Sequence, residues 1–401
     1  MAPVSAWRAV SLMAVTVFVD FLSFGLVLPL LAFRAQRLGA SPVLVTATLS
    51  VQALAQAVCT PLAGRLSDRH GRRPVIAGAL LVEAAAFAAT ALAGSVPALL
   101  AARCLAGLGT SSVGSAQAVV ADVTGPEDRA RGMGVVGAAV GIGFVVGPAL
   151  GGLLATMGPD VPFWAGAGLA AGAALLVWLL LPETLAPGHA GAGPWWSILQ
   201  TVSGVTGRSA AARLIWLTSI TTLAFAAMEA IYPLATQRVL GWGATANGYA
   251  FAYLGLLMAA AQVARPRRAA GTGALRLGLA GLAASLLLLA AASAGLPVMV
   301  AALTLLGVSL GVVTPAVAAL LTAVAPAGRH GETLGAARGA EALSRAAGPL
   351  AAGVLYGLAG PPLPFLAGGV LVAGGLFLLT GRSVPAASAV RPVPEHGSAR
   401  R

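Results

Sequence analysis

Hydrophobic residues along this chain fall into about twelve stretches, with nearly all the charge squeezed into the gaps between them. A helix rises ~1.5 Å per residue and a bilayer's hydrocarbon core is ~30 Å thick, so ~20 apolar residues cross it. The pattern predicts spans over 7–33, 43–63, 74–94, 97–122, 132–156, 162–181, 213–236, 245–264, 275–294, 296–324, 334–358 and 362–381. Several are rich in Gly and Ala, which lets helix backbones approach closely in lipid. The stretch from Trp7 to Phe33 is longer than the ~7–15-residue core of a cleaved signal, so it is expected to remain as the first span.

The elements divide six and six. The expected organisation is an N-terminal six-helix bundle over 1–181, a central loop over 182–212, a C-terminal six-helix bundle over 213–381 and a disordered tail over 382–401. The two halves echo each other. Gly147-Pro148-Ala149-Leu150-Gly151 returns as Gly348-Pro349 with Gly353, Pro126 with Arg129 as Pro326 with Arg329, and Pro29-Leu30 as Pro233-Leu234. Weak internal symmetry of this kind marks membrane proteins built from two bundles around a midplane site.

Composition turns the pattern into a class. Hydrophobic residues make up 58% of the chain, charged residues 9%, and the mean hydropathy is +0.90. Soluble domains carry roughly 25% charged residues, so a soluble fold is excluded. The net charge of +12 comes from 24 arginines. Their placement argues against nucleic acid as a partner. Arg8, Arg65, Arg69, Arg72, Arg73, Arg129, Arg131, Arg208, Arg213, Arg276 and the arginines of the tail fall on one side of the predicted spans. Arg34, Arg37 and Arg238 fall on the other. The positive-inside rule makes the rich side cytoplasmic, with both termini there, in a multi-pass protein of the cell (inner or plasma) membrane. Cys59 and Cys104 lie in apolar stretches near opposite ends of their helices and read as buried packing residues.

Charges inside the apolar stretches point to chemistry, because a charge at mid-bilayer costs at least ~2.5–3.5 kcal/mol. Asp20 lies near the middle of the first span, Glu83 near the middle of the third, Arg103 within the fourth and Glu229 within the seventh. Burial favours a neutral carboxyl and a nearby arginine favours a charged one, so an acid alternating between these surroundings loads and releases a proton. Asp20 is the first candidate carrier. Glu229 is the second, or attracts a cationic substrate. For Glu83, a structural hydrogen bond or a lipid-facing, snorkelling position stands equally open. Arg103 either holds a structural ion pair or modulates the carrier. Arg338, Glu341 and Arg345 are spaced to pair along one face of the eleventh span, and read as a structural cluster. No metal-ligand spacing, phosphate-binding loop or catalytic triad appears, so neither enzyme activity, cofactor nor metal is expected.

Between the second and third spans the chain reads Gly64-Arg-Leu-Ser-Asp68-Arg-His-Gly71-Arg72-Arg73-Pro74. The glycines allow a tight turn, and Asp68 is placed to pair with nearby arginines or face a helix N-terminus. This stretch resembles the signature G-x-L-x-D-x-x-G-R-R of the major facilitator superfamily, and the subgroup resembled is its twelve-span drug:proton antiporters. Three further segments resemble that subgroup: Asp20 through Gly25 to Pro29, Arg103 through Gly107 to Gly109, and Gly143, Gly147, Pro148, Gly151 and Gly152 of the fifth-span antiporter motif. Ala106 stands where a Gln is common, and the second half lacks the signature's Asp and ordered glycines.

The resemblance implies an all-α integral membrane protein with twelve transmembrane helices in two pseudo-symmetric bundles. It implies a cytoplasmic gate in which Asp68 meets the start of the eleventh helix near Thr333–Arg338, and Asp122 joins Arg72 or Arg129. The glycines of the fifth span give one smooth face, and Pro148 favours a bend. Such a helix suits closure against the partner bundle, or serves as ordinary close packing. The expected activity is proton-coupled efflux of a small, amphiphilic drug-like molecule by a monomer working in the lipid bilayer. An importer or metabolite exporter of the same fold is the alternative, and a non-transporting receptor the alternative of another class. Phe24, Phe144, Phe225, Tyr232, Tyr249 and Tyr253 are candidate cavity aromatics.

Overall fold

The computed structural model describes residues 6–109, 112–184, 209–264, 271–291, 295–325 and 330–379. Most of the central loop, including Trp195 and Trp196, the basic stretch Arg265–Arg268 and the tail lie outside them. The first half comprises α1 (Ala6–Arg37), α2 (Pro42–His70), α3 (Arg72–Leu92), α4 (Val96–Gly109), α5 (Ser112–Val123), α6 (Pro126–Leu154) and α7 (Val161–Leu180). The second comprises α8 (Ala210–Leu240), α9 (Ala244–Val263), α10 (Thr272–Ala290), α11 (Leu296–Val324), α12 (His330–Ala359) and α13 (Pro362–Gly375), which ends in a 3-10 turn, Leu376–Leu379. Helices α4 and α5 together occupy the predicted fourth span, so twelve predicted spans correspond to twelve helical spans.

The helices outrun their apolar stretches. The span expected over 43–63 is a helix to His70, and that expected from 132 begins at Pro126. Hydropathy stops at the membrane boundary, whereas hydrogen bonding from each N–H to the carbonyl four residues back continues into water. The signature is therefore not a loop. Gly64, Arg65 and Asp68 are helical, and Gly71 alone separates α2 from α3. Gly71 has φ 96° and donates its N–H to the Ser67 carbonyl, a conformation that L side chains resist.

Packing repeats with the sequence echo. In the first half α1 packs on α6, and in the second α8 packs on α12. Across the halves, α2 packs on α12 and α6 on α9, which exchange under a two-fold relation. Proline lies inside α1 (Pro29) and α8 (Pro233), and inside α6 (Pro148) and α12 (Pro349). Among the described residues ten helical segments are long and apolar enough to cross a membrane. The two that fall short are α9 and α12. Both lie against the opposite half, so polar side chains such as Asn247 and Arg345 need not face lipid.

The two halves share a core at the arginine-poor end. Leu31, Ala35, Val45 and Leu99 of the first half join the buried cluster built around Ile231, Leu234 and Phe251 of the second. Small residues make this seam. Gly248 of α9 sits against the Pro148 carbonyl and 2.9 Å from the Gly152 Cα, and Gly353 of α12 sits 3.0 Å from the Val43 Cα (distances for an added Cβ). Further along α2, burial at Val45, Thr48 and Ala53 gives way to exposure at Leu54, Val58, Leu62 and Leu66. The halves thus close toward the arginine-poor end and part toward the other.

Candidate functional site: a buried acid pair beside an interhalf cleft

Three of the predicted intramembrane charges meet inside the first half. Asp20 of α1, Glu83 of α3 and Arg103 of α4 are all buried, at 2%, 3% and 1% exposure. The Glu83 carboxyl shares a hydrogen bond with Asp20, and the Arg103 guanidinium is near enough to act on Glu83 electrostatically. Glu83 is therefore neither snorkelling nor lipid-facing, and Asp20 is not a solitary acid. Glu83 and Thr90, seven residues apart, share one face of α3, and Arg103 meets that face. Gly109 makes the approach possible: an added Cβ there would lie 2.8 Å from the Glu83 nitrogen.

Arg103 donates to Thr90 Oγ1 at 2.6 Å and to Gln52 Oε1 at 3.4 Å, with its guanidinium 5.8 Å from the Phe87 ring centroid. Two ionised carboxylates offer only acceptors, so a hydrogen bond between them requires one proton. With one shared proton the three charged groups sum to zero; losing it leaves one negative charge and gaining another leaves one positive. Glu83 Oε2 and Arg103 Nε are buried without a hydrogen-bond partner among the described residues.

Gln52 also faces outward from this cluster. It lines a cleft between the halves with Phe24, Leu49, Ala53 and Gln56 on one wall and Ala226, Glu229, Arg345 and Pro349 on the other. Glu229 is 7% exposed, and the charge of Arg345 reaches it along the same wall. The spacing of Arg338, Glu341 and Arg345 suggested one structural cluster, but only part of it forms. Arg338 pairs with Glu341 at 3.3 Å, while Arg345 turns to the cleft. Of the candidate aromatics, Phe24 lines the cleft and Phe144 stacks behind it, 5.9 Å away. Tyr232 is buried against Phe251, Phe225 packs on the second half's core, and Tyr249 and Tyr253 are exposed. Both cysteines are free; Cys104 is exposed and near enough to half-buried Cys59 to affect it, so they are not the separate buried pair the sequence suggested.

At the arginine-rich end a second charge network ties α2, α3 and α5 together. Arg72 holds Asp68 at 2.7 Å and Asp122 at 3.1 Å, and reaches Ser67 Oγ at 3.3 Å. Arg129 instead donates to the Ala121 carbonyl at 3.0 Å. Glu183, just past α7, completes the network by accepting the backbone N–H groups of Arg72 at 2.7 Å and Arg73 at 3.2 Å. Its carboxylate fills the space a Gly71 side chain would need. Glu183 thus neutralises the positive end of α3.

A family model described as Major Facilitator Superfamily matches residues 13–275 and 270–400. The chain belongs to the major facilitator superfamily. It is 31% identical to a class C tetracycline resistance protein of Escherichia coli over 353 residues, 85% of this chain and 88% of that protein. It is equally similar, 31% over 357 residues, to major facilitator superfamily domain-containing protein 10 of Homo sapiens, covering 82% and 77% of the two chains. The crystal structure of that human organic anion transporter superimposes with a TM-score of 0.69 over 94% of this chain and 100% of the other, at 28% identity. The nucleoside transporter NupG superimposes at 0.75 over 92% and 98%, with 12% identity, and so shares the fold. This superfamily member is a multi-pass membrane transporter of small molecules and not an enzyme.

In superfamily terms, the antiporter-motif glycines face two ways. Gly143, Gly147, Gly151 and the Pro148 ring seat α6 on Phe21, Leu22, Gly25 and Leu26 of α1, whereas the Pro148 carbonyl and Gly152 meet Gly248 and Thr245 of α9. The Thr245 hydroxyl donates to the Gly152 carbonyl at 2.9 Å. One helix therefore packs within its half and forms the seam with the other. Gly64 carries no such constraint; the space around it is open. At the arginine-poor end, Arg34 grips Asp160 at 2.6 Å and the Ala91 and Ala93 carbonyls, binding α1, α3 and α7 into one unit.

Proposed function

We propose that the protein exports a small, amphiphilic drug-like molecule from the cytoplasm in exchange for protons, as a monomer, by rocking its two halves about the central cleft. The arginine-rich end is the cytoplasmic side of the cell membrane and carries both termini. The observation that carries this reading is the Asp20–Glu83–Arg103 cluster reaching the cleft through Gln52. Similarity to tetracycline resistance proteins supports drug export.

The shared proton keeps the cluster neutral inside the membrane. When it leaves, the cluster gains a net negative charge and draws Arg103 more tightly to the acids. Arg103 then releases Gln52, and the cleft wall changes its hydrogen-bonding face. Reprotonation reverses the change. A gate contact that differs between two states biases their equilibrium without touching cargo. The Asp68–Arg72–Asp122 network, set on the first half, serves as that contact at the cytoplasmic end.

Inverted membrane vesicles test the reading. A panel of compounds is scored for dissipation of an imposed proton gradient. The wild-type protein is expected to respond to at least one amphiphilic compound, and Asp20→Asn to lose the response while still inserting in the membrane. Full concentrative transport by Asp20→Asn excludes Asp20 as the essential carrier.

A further inference from the structure

Arg345 and Glu229 occupy similar depths. Arg345 lies halfway along α12 (His330–Ala359) and Glu229 in the second half of α8 (Ala210–Leu240), and both line the same cleft. Among the described residues it is Arg338, not Arg345, that closes a salt bridge with Glu341. Arg345 is exposed into the space between the halves, so its guanidinium keeps donors in the fork geometry that suits a carboxylate. A permanent cation at this depth is expensive in lipid and is kept where it lines a cavity or has an opposite charge nearby, here Glu229 on the same wall.

The facing wall adds what a charged ligand's body requires. Gln52 and Gln56 offer amide donors and acceptors, and Phe24 offers an apolar ring. A cargo bearing only positive charge meets repulsion from Arg345. One bearing only negative charge meets repulsion from Glu229. Opposite charges on one side of a cleft, with amides and an aromatic ring on the other, select a molecule that carries both signs.

We infer that the interhalf cleft takes an amphoteric organic ligand, seating an anionic group on Arg345 and a cationic or hydrogen-bond-donating group on Glu229. This rests on the cleft being the cargo site, and narrows that cargo from amphiphilic molecules in general to those carrying an acid. Glu229 is thereby a specificity group and not a second proton carrier.

Equilibrium binding to the full-length protein in lipid nanodiscs, with no gradient, separates this from the proposal of proton coupling. The probes are rhodamine B, which carries a carboxylate beside its cationic ring system, and its ethyl ester, which keeps the cation and loses the acid. Fluorescence anisotropy is expected to show rhodamine B binding about tenfold more tightly, the ratio a charge-assisted hydrogen-bonded contact supplies. Arg345→Gln is expected to abolish the preference, Arg345→Lys, which keeps the charge without the fork, to retain part of it, and Glu229→Gln to weaken both probes. Equal or tighter binding of the ester, no measurable binding of rhodamine B, or a preference that survives Arg345→Gln overturns the inference. Failure of proton coupling alone leaves these affinities unchanged and appears instead as transport that an imposed pH difference neither drives uphill nor alters.

Discussion

At the scale of single residues, a charge inside an apolar run was conspicuous in the sequence, but its surroundings were not. Asp20, Glu83, Arg103 and Glu229 were all legible as candidates; that the first three converge depends on which helices are neighbours, which no single helix encodes. Glu183 was missed because its partners, Arg72 and Arg73, lie more than a hundred residues away in sequence. Arg345 was assigned to its own helix because a four-residue spacing from Glu341 suggests a pair. The acid pair leads to a direct expectation. Glu83→Gln retains a hydrogen-bond donor but not a titratable group, so compound-driven proton flux in vesicles should fall about tenfold or more, the loss expected when proton transfer lacks its partner. Equilibrium affinity for the compound should stay within a few-fold. Flux equal to wild type removes Glu83 from the coupling cluster.

Helices were the most legible level, since twelve stretches of nearly bilayer length admit few alternatives. What the sequence left open was how each helix divides its faces. The glycines of α6 show this: their spacing announced a smooth face, and the structure uses it against α1 while the Pro148 carbonyl and Gly152 meet α9. The two uses predict different failures. Gly147→Val drives a side chain into the Gly25 backbone, 2.8 Å from where its Cβ would lie, and should cost ~1–3 kcal/mol by overpacking, measured as a lower melting temperature in detergent. Gly248→Leu pushes apart the seam between halves. It should leave each half folded but expose the arginine-poor side of the cleft, measured as faster labelling of a cysteine placed at Gln56. Melting and labelling rates unchanged in both variants contradict this division of α6.

For the whole molecule, the contrast between the two ends matters most. A shared core seals the arginine-poor end, while α2 passes from buried to exposed toward the other. At that open end the Asp68–Arg72–Asp122 network closes on its own half, together with Glu183. A contact between Asp68 and the start of α12, near Thr333–Arg338, is proposed for the state in which this end shuts. Asp68→Asn should therefore slow cycling, seen as a lower maximal transport rate with nearly unchanged binding; unchanged transport kinetics count against the gate.

The coupling itself is tested most directly in proteoliposomes, with a transported compound from the panel and an imposed pH difference that can be switched off. The account predicts that the wild-type protein concentrates the compound only while protons run down their gradient. Asp20→Asn and Glu83→Gln should still exchange labelled for unlabelled compound across the membrane without concentrating it. Failure of the wild type to concentrate the compound under the gradient, or uphill accumulation by either variant, contradicts it.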